Sequence, residues 1–445
     1  MPRSAPSAAH APAVFQGARA SRPASRRRVR TVGAAVLVSG ALVGLSLDRG
    51  EARPLRPGET VLDRPRPEMT EHGGRLGRIW VRPTVQTGLA FDDNVFANDA
   101  ERQGDLLLRT APSFTAETDW RGHRASFSAS AEQGVYNEQS SENYLDLSAE
   151  AFGRLQATQN IHVSATARWT RRHEPRRSAD SPSDAAEPTV FRTRSSELLL
   201  KSRGDRGVLS ARLGARRIDY DDVAARGGGA INNDDRDGWL GEFTIAERAP
   251  LSLRLERFLR SRLNVRLYDA AIDDNGFIRG SWGHATVGGL TWRPTGLTTL
   301  EGYSGVRQQV YADSRFDPLL LPTAGLSVTV SPSQLTSVRV ALDQAVRETT
   351  QPFASGRLVT ALSVRVDHEL KRDLLAGLHA NAAVDDYRGI ARRDRHTGAG
   401  LSLTYLASRY LHARLSLRHT RRDSDAANAR TFRRTRIELG LEVRY

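Results

Sequence analysis

Arginine has the widest chemical reach of any residue type in this sequence of 445 residues. Lys and Arg together number 65 against 51 Asp and Glu, which gives a formal net charge of +14. A planar guanidinium can hold a carboxylate or a phosphate through two parallel hydrogen bonds. Ten arginines occupy the polar positions of stretches in which polar and apolar residues alternate: Arg82, Arg109, Arg168, Arg212, Arg262, Arg266, Arg307, Arg339, Arg365 and Arg414.

Aromatic and acidic side chains share these polar positions with the arginines. Three tyrosines could stack on sugar rings while the arginines hold acidic groups: Tyr268, Tyr303 and Tyr311. Four carboxylates are interleaved with the arginines: Glu117, Asp146, Glu150 and Asp343. The pattern therefore fits either a surface that binds acidic saccharide or a wall of ion pairs that only stiffens the fold.

Other kinds of reactive site have little support in the sequence. There is no cysteine, which excludes disulfides, thiolate zinc sites and cysteine nucleophiles. The eleven histidines form no pair at metal-binding spacing, and no GxSxG, P-loop or GxGxxG motif occurs. We expect no metal, no cofactor and no catalysis, although a hydrolase assembled from separate strands would leave no such motif. Acidic clusters without calcium-loop spacing are predicted to be loop tips: 92–93, 232–235, 273–275 and 385–386.

The secondary structure that carries these residues is predicted from an alternation of apolar and polar residues with a period of two. In 79–91 the apolar residues Ile79, Val81, Leu89 and Phe91 share one parity, and polar residues occupy much of the other. The same alternation recurs along the chain as far as its last residues. Alternation of this kind is typical of β-strands with one apolar and one polar face, so the protein is predicted to be all-β.

Two architectures bury one face of so many strands: a soluble sandwich or propeller, and an outer-membrane barrel. The apolar positions carry mostly Leu, Val and Ala with aromatic residues near strand ends, and the connections alternate between short turns and long polar loops. Both features favour a transmembrane, antiparallel, up-and-down β-barrel over 79–445. We predict about eighteen strands, with sixteen as the alternative. The stretch 238–256 could be two strands, the next strand is predicted over 261–271, and the parity of 279–293 is ambiguous.

The N-terminal residues resemble an export signal. Four arginines between positions 26 and 30 precede an uncharged run, 31–47, and Gly50-Glu51-Ala52 follows as a cleavage pattern. We predict a signal peptide over 1–52, with a single membrane anchor as the alternative, and a flexible periplasmic lead-in over 53–78. The C-terminal residues Gly440, Val443 and Tyr445 fit the pattern read by the outer-membrane insertion machinery, which is therefore an expected partner.

The segment Thr87–Phe96, followed by Leu106–Phe114, resembles the opening of the "putative beta-barrel porin 2" family. By strand rhythm the resemblance extends over 79–445. It implies an outer-membrane barrel and an association with capsular or exopolysaccharide biosynthesis.

Three functions remain open on this basis. The first is a porin-like conduit for saccharide linked to surface polysaccharide export or uptake. The alternatives are a non-conducting accessory barrel of a polysaccharide machine and a barrel hydrolase of lipid or glycan. Expected partners are outer-membrane lipid, lipopolysaccharide and polysaccharide export components. Nucleic acid is not expected, because the arginines are spread over separate strands and loops.

Overall fold

The computed structural model describes residues 58–118, 120, 122–426 and 429–445; the predicted signal peptide lies outside them. The first nine long strands are β1 (Ile79–Asp92), β2 (Asp105–Thr118), β3 (Arg124–Tyr136), β4 (Tyr144–Gln156), β5 (Ile161–His173), β6 (Val190–Gly204), β7 (Gly207–Tyr220), β8 (Gly238–Pro250) and β9 (Leu255–Tyr268). The other nine are β10 (Ser281–Thr295), β11 (Thr298–Tyr311), β12 (Leu319–Ser333), β13 (Thr336–Arg347), β14 (Gly356–Lys371), β15 (Leu374–Arg388), β16 (Arg393–Leu406), β17 (Leu411–Ser424) and β18 (Phe432–Arg444).

Each strand pairs antiparallel with its neighbours in the chain, and the last strand pairs with the first. At this seam the register runs from Thr84 opposite Arg444 to Asp92 opposite Arg436. Closure leaves no long sheet edge unpaired, which is what a sheet needs in a medium without water. The predicted eighteen-stranded barrel is confirmed, and the sixteen-stranded alternative is wrong.

The outer face of the barrel is apolar. On β1, Leu89 is 53% exposed and Phe91 48%, whereas Ala90 between them is 1% exposed. The parity of β10, ambiguous in the sequence, is settled because Trp282 and Trp292 are both exposed on the outer face. Ten residues at roughly 3.3 Å each, tilted by about 40°, separate these two rings by about 25 Å along the membrane normal, the height of the apolar band.

One pair of strand boundaries was predicted wrongly. The stretch expected to be one strand over 238–256 ends at Pro250, and β9 begins at Leu255 instead of residue 261. A tight turn lies between them, closed by hydrogen bonds from the amides of Leu251 and Ser252 to the Leu255 carbonyl at 2.8 and 3.0 Å. The leucines of this turn continue the alternation of β8, so the period of two extends through it and hides it.

The connections define two ends of the barrel. A short turn joins β6 to β7, and similar turns recur at the same end of the barrel. The other end carries longer segments such as 93–104, 174–189 and 221–237. In barrels of this kind the short turns face the periplasm and the long loops face outward. None of the helices in the described residues is long and apolar enough to cross a membrane.

Candidate functional site

The inner wall of the barrel holds all the arginines and tyrosines singled out in the sequence. Residues paired across an antiparallel ladder point to the same face, so the buried positions of β1 define the inward face of every later strand. By this register all thirteen residues point inward: Arg82, Arg109, Arg168, Arg212, Arg262, Arg266, Tyr268, Tyr303, Arg307, Tyr311, Arg339, Arg365 and Arg414. Whether they bind a solute remains a prediction.

Seven of the ten arginines have a carboxylate partner. These ion pairs are Arg82–Glu117 at 3.4 Å, Arg109 with Glu132 and Glu438, Arg168–Glu150, Arg212–Glu197 at 3.5 Å, Arg262–Glu242 at 3.4 Å, Arg266–Glu348 at 2.6 Å and Arg365–Asp367 at 2.9 Å. A neighbouring carboxylate cancels most of the field of its arginine, so these pairs fit the stiffening role better than solute binding.

The other three arginines have no carboxylate partner in the described part of the chain. Arg307 donates to the Gln344 carbonyl oxygen at 3.3 Å, and Arg339 donates to the Gly58 carbonyl oxygen at 3.2 Å. Arg414 makes no hydrogen bond or ion pair to a described residue and is exposed within the lumen. Their charge is therefore not compensated by an adjacent carboxylate.

The three tyrosines differ in their availability. The Tyr303 hydroxyl donates to Asp343 Oδ1 at 2.7 Å, and its ring lies 5.3 Å from the Arg260 guanidinium. The Tyr311 ring packs edge-on against Phe316, with 5.7 Å between centroids. Tyr268 lines an open cavity near the outer end of the lumen. Stacking on a sugar is therefore least obstructed at Tyr268.

A loop crosses the outer end of the lumen. This crossing loop, residues 174–189, joins β5 to β6, and its Asp180 accepts a hydrogen bond from Thr349 Oγ1 at 2.8 Å and lies 3.6 Å from Arg357. Those partners belong to β14 and the segment before it, eight strands further round the barrel. Two buried ion pairs hold the loop: Arg176–Glu142 at 2.6 Å and Arg236–Glu174 at 2.9 Å.

The described part of the predicted lead-in occupies the periplasmic end of the lumen. Val61 is fully buried against Leu375 and Leu406 of the wall. Arg64 and Arg66 both bind Glu369, at 3.2 and 2.8 Å, and all three side chains are at most 7% exposed. The lead-in was expected to be flexible; from residue 58 onward it has buried side chains and defined partners. We call residues 58–72 the plug segment.

Two of the cavities along the lumen include residues of the predicted site. The outer cavity, of about 530 Å³, lies beside the tip of the crossing loop and includes Arg266 and Tyr268. The inner cavity, of about 680 Å³, lies between the plug segment and the wall, and it includes Arg109 and Arg414. Both volumes fall within the range typical of small-molecule sites.

Several lumen residues were missed by the sequence reasoning. Arg418 and Arg436 face inward beside Arg414, and strict parity along β17 and β18 would have found them. Arg177 of the crossing loop could not be found in this way because the loop has no period. Burial lowers the pKa of Arg177, and the positive charges of Arg434, Arg418 and Arg436 lower it further.

The acidic clusters are engaged by arginines. Asp92 binds Arg434, Asp273 binds Arg279 at 2.6 Å, and Asp385 binds Arg357. Among the described residues no group of three or more His, Asp or Glu side chains is arranged to hold a metal ion.

A serine–histidine contact, of the kind that pairs a nucleophile with a base, lies on the outer face. Ser261 Oγ is 2.8 Å from His284 Nε2, which is also 3.0 Å from Thr286 Oγ1. In the described part of the chain His284 has no carboxylate partner, so the acid that orients a catalytic histidine is lacking. The backbone amides around Ser261 are held in the ladder, which leaves none free to stabilise an oxyanion.

The chain matches the model of the family described as "Putative beta-barrel porin 2" over residues 66–445. The protein belongs to this family. It is thus a porin-like barrel of the outer membrane, as the opening motif and the strand rhythm predicted. The association with polysaccharide biosynthesis remains a prediction, as does the export signal.

Solved outer-membrane proteins of Pseudomonas aeruginosa are similar in structure to this porin-family barrel. OpdO is 14% identical, with 83% of this chain and 98% of that one covered and a TM-score of 0.45. OpdK is 12% identical, with 82% and 99% covered and a TM-score of 0.43. The siderophore receptor PirA is 9% identical, with 82% and 80% covered and a TM-score of 0.42. No curated protein matches the chain in sequence.

The three residues of the predicted assembly signal are divided between the two faces of β18. Gly440 points into the lumen opposite Gly88, whereas Val443 and Tyr445 are exposed on the outer face, at 54% and 65%. The Tyr445 amide donates to the Pro83 carbonyl oxygen at 3.2 Å, which joins the terminal residue to β1. Recognition by the insertion machinery stays a prediction.

Proposed function

We propose that this barrel is an anion-selective conduit whose natural solute is acidic saccharide connected with surface polysaccharide. The observation that carries the proposal is the arginine surface of the inner wall without adjacent carboxylates. Four of its members are Arg307, Arg339, Arg414 and Arg418. The family's association with capsular and exopolysaccharide biosynthesis supports the choice of saccharide over other anions.

The physical basis is the electrostatic potential of a narrow, protein-lined lumen. The low-dielectric wall focuses the field of fixed charges, so uncompensated guanidiniums raise the local anion concentration. Paired arginines contribute little to this field. Anion selectivity should therefore depend on the unpaired arginines far more than on the total number of arginines in the wall.

The test is the reversal potential across a salt gradient in planar bilayers. We expect anion selectivity in the natural protein and a clear fall when Arg307, Arg339 and Arg414 are replaced together by Gln. Arg266 is not suitable for this test, because its loss would also remove the ion-pair partner of Glu348, 2.6 Å away. Cation selectivity, or selectivity unchanged in the triple variant, contradicts the proposal.

A second candidate is a non-conducting accessory barrel. It is favoured by the placement of chain at both ends of the lumen, the crossing loop at the outer end and the plug segment at the inner end. Single-channel recordings separate the two functions. Absence of conductance both in the natural protein and after removal of the plug segment would favour the accessory role.

A further inference from the structure

The charged side chains around the inner cavity differ in whether they have an ion-pair partner. Its wall contains Arg109, Arg414, Arg418 and Arg436, and its periplasmic side is formed by the plug segment. Arg109 binds Glu132 and Glu438, and Arg436 is 3.4 Å from Glu438. Arg414 and Arg418 have no carboxylate or hydrogen-bond partner among the described residues, and both are exposed to the cavity.

The absence of an ion pair at Arg414 and Arg418 among the described residues follows from the register of the neighbouring strands. Arg414 stands opposite Gly440 on β18, and Arg418 stands opposite Gly400 on β16. The inward positions of β17 itself carry arginine, histidine, serine and threonine but no acidic residue. On their other sides Thr404 stands opposite Arg414 and Arg436 stands opposite Arg418, so no carboxylate stands directly opposite either guanidinium. Glu438, the inward residue between Gly440 and Arg436 on β18, binds Arg109 and Arg436 instead.

Glycine also shapes the wall between the arginines. One row across the ladder reads Arg414, Gly440, Gly88 and Arg109, so two bare backbone positions separate two guanidiniums. A methyl group added at Gly440 would meet no atom closer than 3.6 Å, which shows that the recess there is open. A flat, hydroxylated ring could lie against this backbone with an acidic group at its edge.

We propose that the inner cavity is a binding site for a short acidic oligosaccharide, such as a uronic acid disaccharide, held by Arg414 and Arg418. The proposal rests on the proposed conduit function, in which this cavity is the solute-binding site next to the plug segment. Four residues of strand separate the two arginines, which is a distance of about 13 Å at 3.3 Å per residue. That spacing suits a ligand with two negative groups rather than a single small anion.

The experiment is isothermal titration calorimetry of the full-length mature barrel in detergent with digalacturonate. Cellobiose serves as the neutral disaccharide. The test variant is Arg414→Gln with Arg418→Gln. The matched control is Arg168→Gln with Arg212→Gln, which removes the same charge from arginines that are paired with Glu150 and Glu197.

We expect the natural protein to bind digalacturonate and not cellobiose. The test variant should bind it about tenfold or more weakly, because charge-assisted hydrogen bonds are lost, and the control should change by less than about threefold. No binding by the natural protein, equal binding of cellobiose, or equal losses in both variants overturns the proposal.

A second variant tests the recess without changing a charge. Gly440→Val places a side chain in the open row between Arg414 and Arg109. It should weaken digalacturonate binding while leaving the protein folded, as judged by its heat-modifiable gel mobility. Reversal potentials of the natural protein keep the two proposals apart: anion selectivity with no digalacturonate binding overturns this site alone, and absence of anion selectivity in the natural protein overturns the conduit.

Discussion

Two parts of the inner wall use the same residue type in opposite ways. Between β4 and β9, Arg168, Arg212 and Arg262 each meet a glutamate on their own or a neighbouring strand. On β17, Arg414 stands opposite Gly440 and Thr404, and Arg418 stands opposite Gly400 and Arg436, so neither has a carboxylate directly opposite. The two regions share the parity, the environment and the arginines, and they differ only in what the ladder places beside each guanidinium.

The number of arginines therefore says little about the electrostatic field inside a barrel. A guanidinium beside a carboxylate mainly stiffens the wall, and such pairs exposed to water contribute at most about 1 kcal/mol each. A guanidinium beside bare backbone keeps its charge for a solute. We call the part of the inner wall with Arg168, Arg212 and Arg262 the paired wall, and the part with Arg414 and Arg418 the unpaired wall. We expect the two parts to have different roles, which the following variants test.

The largest expected effect comes from breaking the strand that completes the unpaired wall. Tyr445→Asp places a charge on the outer face of the last residue and removes the terminal aromatic signal, so assembled barrel should fall by about tenfold or more. Tyr410→Asp is the control, because Tyr410 is also exposed and lies beside the seam but is not terminal. Surface level and protease resistance measure the outcome. Normal values for Tyr445→Asp would exclude the assembly role.

The next largest effect concerns the plug segment, which borders the unpaired wall at the inner cavity. Glu369→Gln removes the carboxylate that the buried side chains of Arg64 and Arg66 share, a loss of about 3–5 kcal/mol. Trypsin should then cleave the plug segment at least about tenfold faster in proteoliposomes. Glu68→Gln is the control, since Glu68 pairs with Arg372 at 2.7 Å at an exposed site and should change the rate by less than about threefold. Equal rates in the two variants would show that the buried pair does not hold the segment.

A smaller effect should follow from converting the paired wall into an unpaired one. Replacing Glu150, Glu197 and Glu242 together by Gln frees three arginines, so anion selectivity should rise by about twofold. Glu247→Gln, which affects an exposed pair with Arg257 at 3.1 Å on the outer face, should leave selectivity unchanged. Reversal potentials provide the measurement, and an unchanged value in the triple variant would mean that pairing does not screen the wall.

The smallest effect is a pH dependence at the outer end, away from both walls. Burial raises the pKa of Asp237, in the loop before β8, to about 6. A raised carboxyl pKa favours the protonated folded state, so this contribution to stability is present at low pH and is lost as the pH rises through about 6. Asp237→Asn should therefore raise the melting temperature in detergent at pH 8 by a few degrees and leave it nearly unchanged below the ordinary aspartate pKa of about 4. Asp234→Asn, at an exposed position of the same loop, should have no effect at either pH, and an equal response of the two variants would refute the burial argument.

Strand parity could be predicted because it is a local property. Alternating residues on one strand point to opposite faces whatever the neighbouring strands are, so the inward direction of Arg414 and the outward direction of Leu89 follow from the sequence. The eighteen-stranded closed barrel followed from the same period. The prediction of strand bounds from this period failed at 251–254, where a turn kept the period of two, and Asp385 and Asp386, expected at a loop tip, lie within β15.

The sequence by itself determined that this protein is an all-β barrel with an apolar outer face and arginines on its inner wall. The tertiary structure alone decided which of those arginines are compensated, because ladder register brings Glu150 to Arg168 and Gly440 to Arg414. It alone placed the plug segment on Glu369 and the crossing loop at Arg357, contacts that join residues far apart in the sequence. Such contacts depend on how the barrel closes, and no local period encodes them.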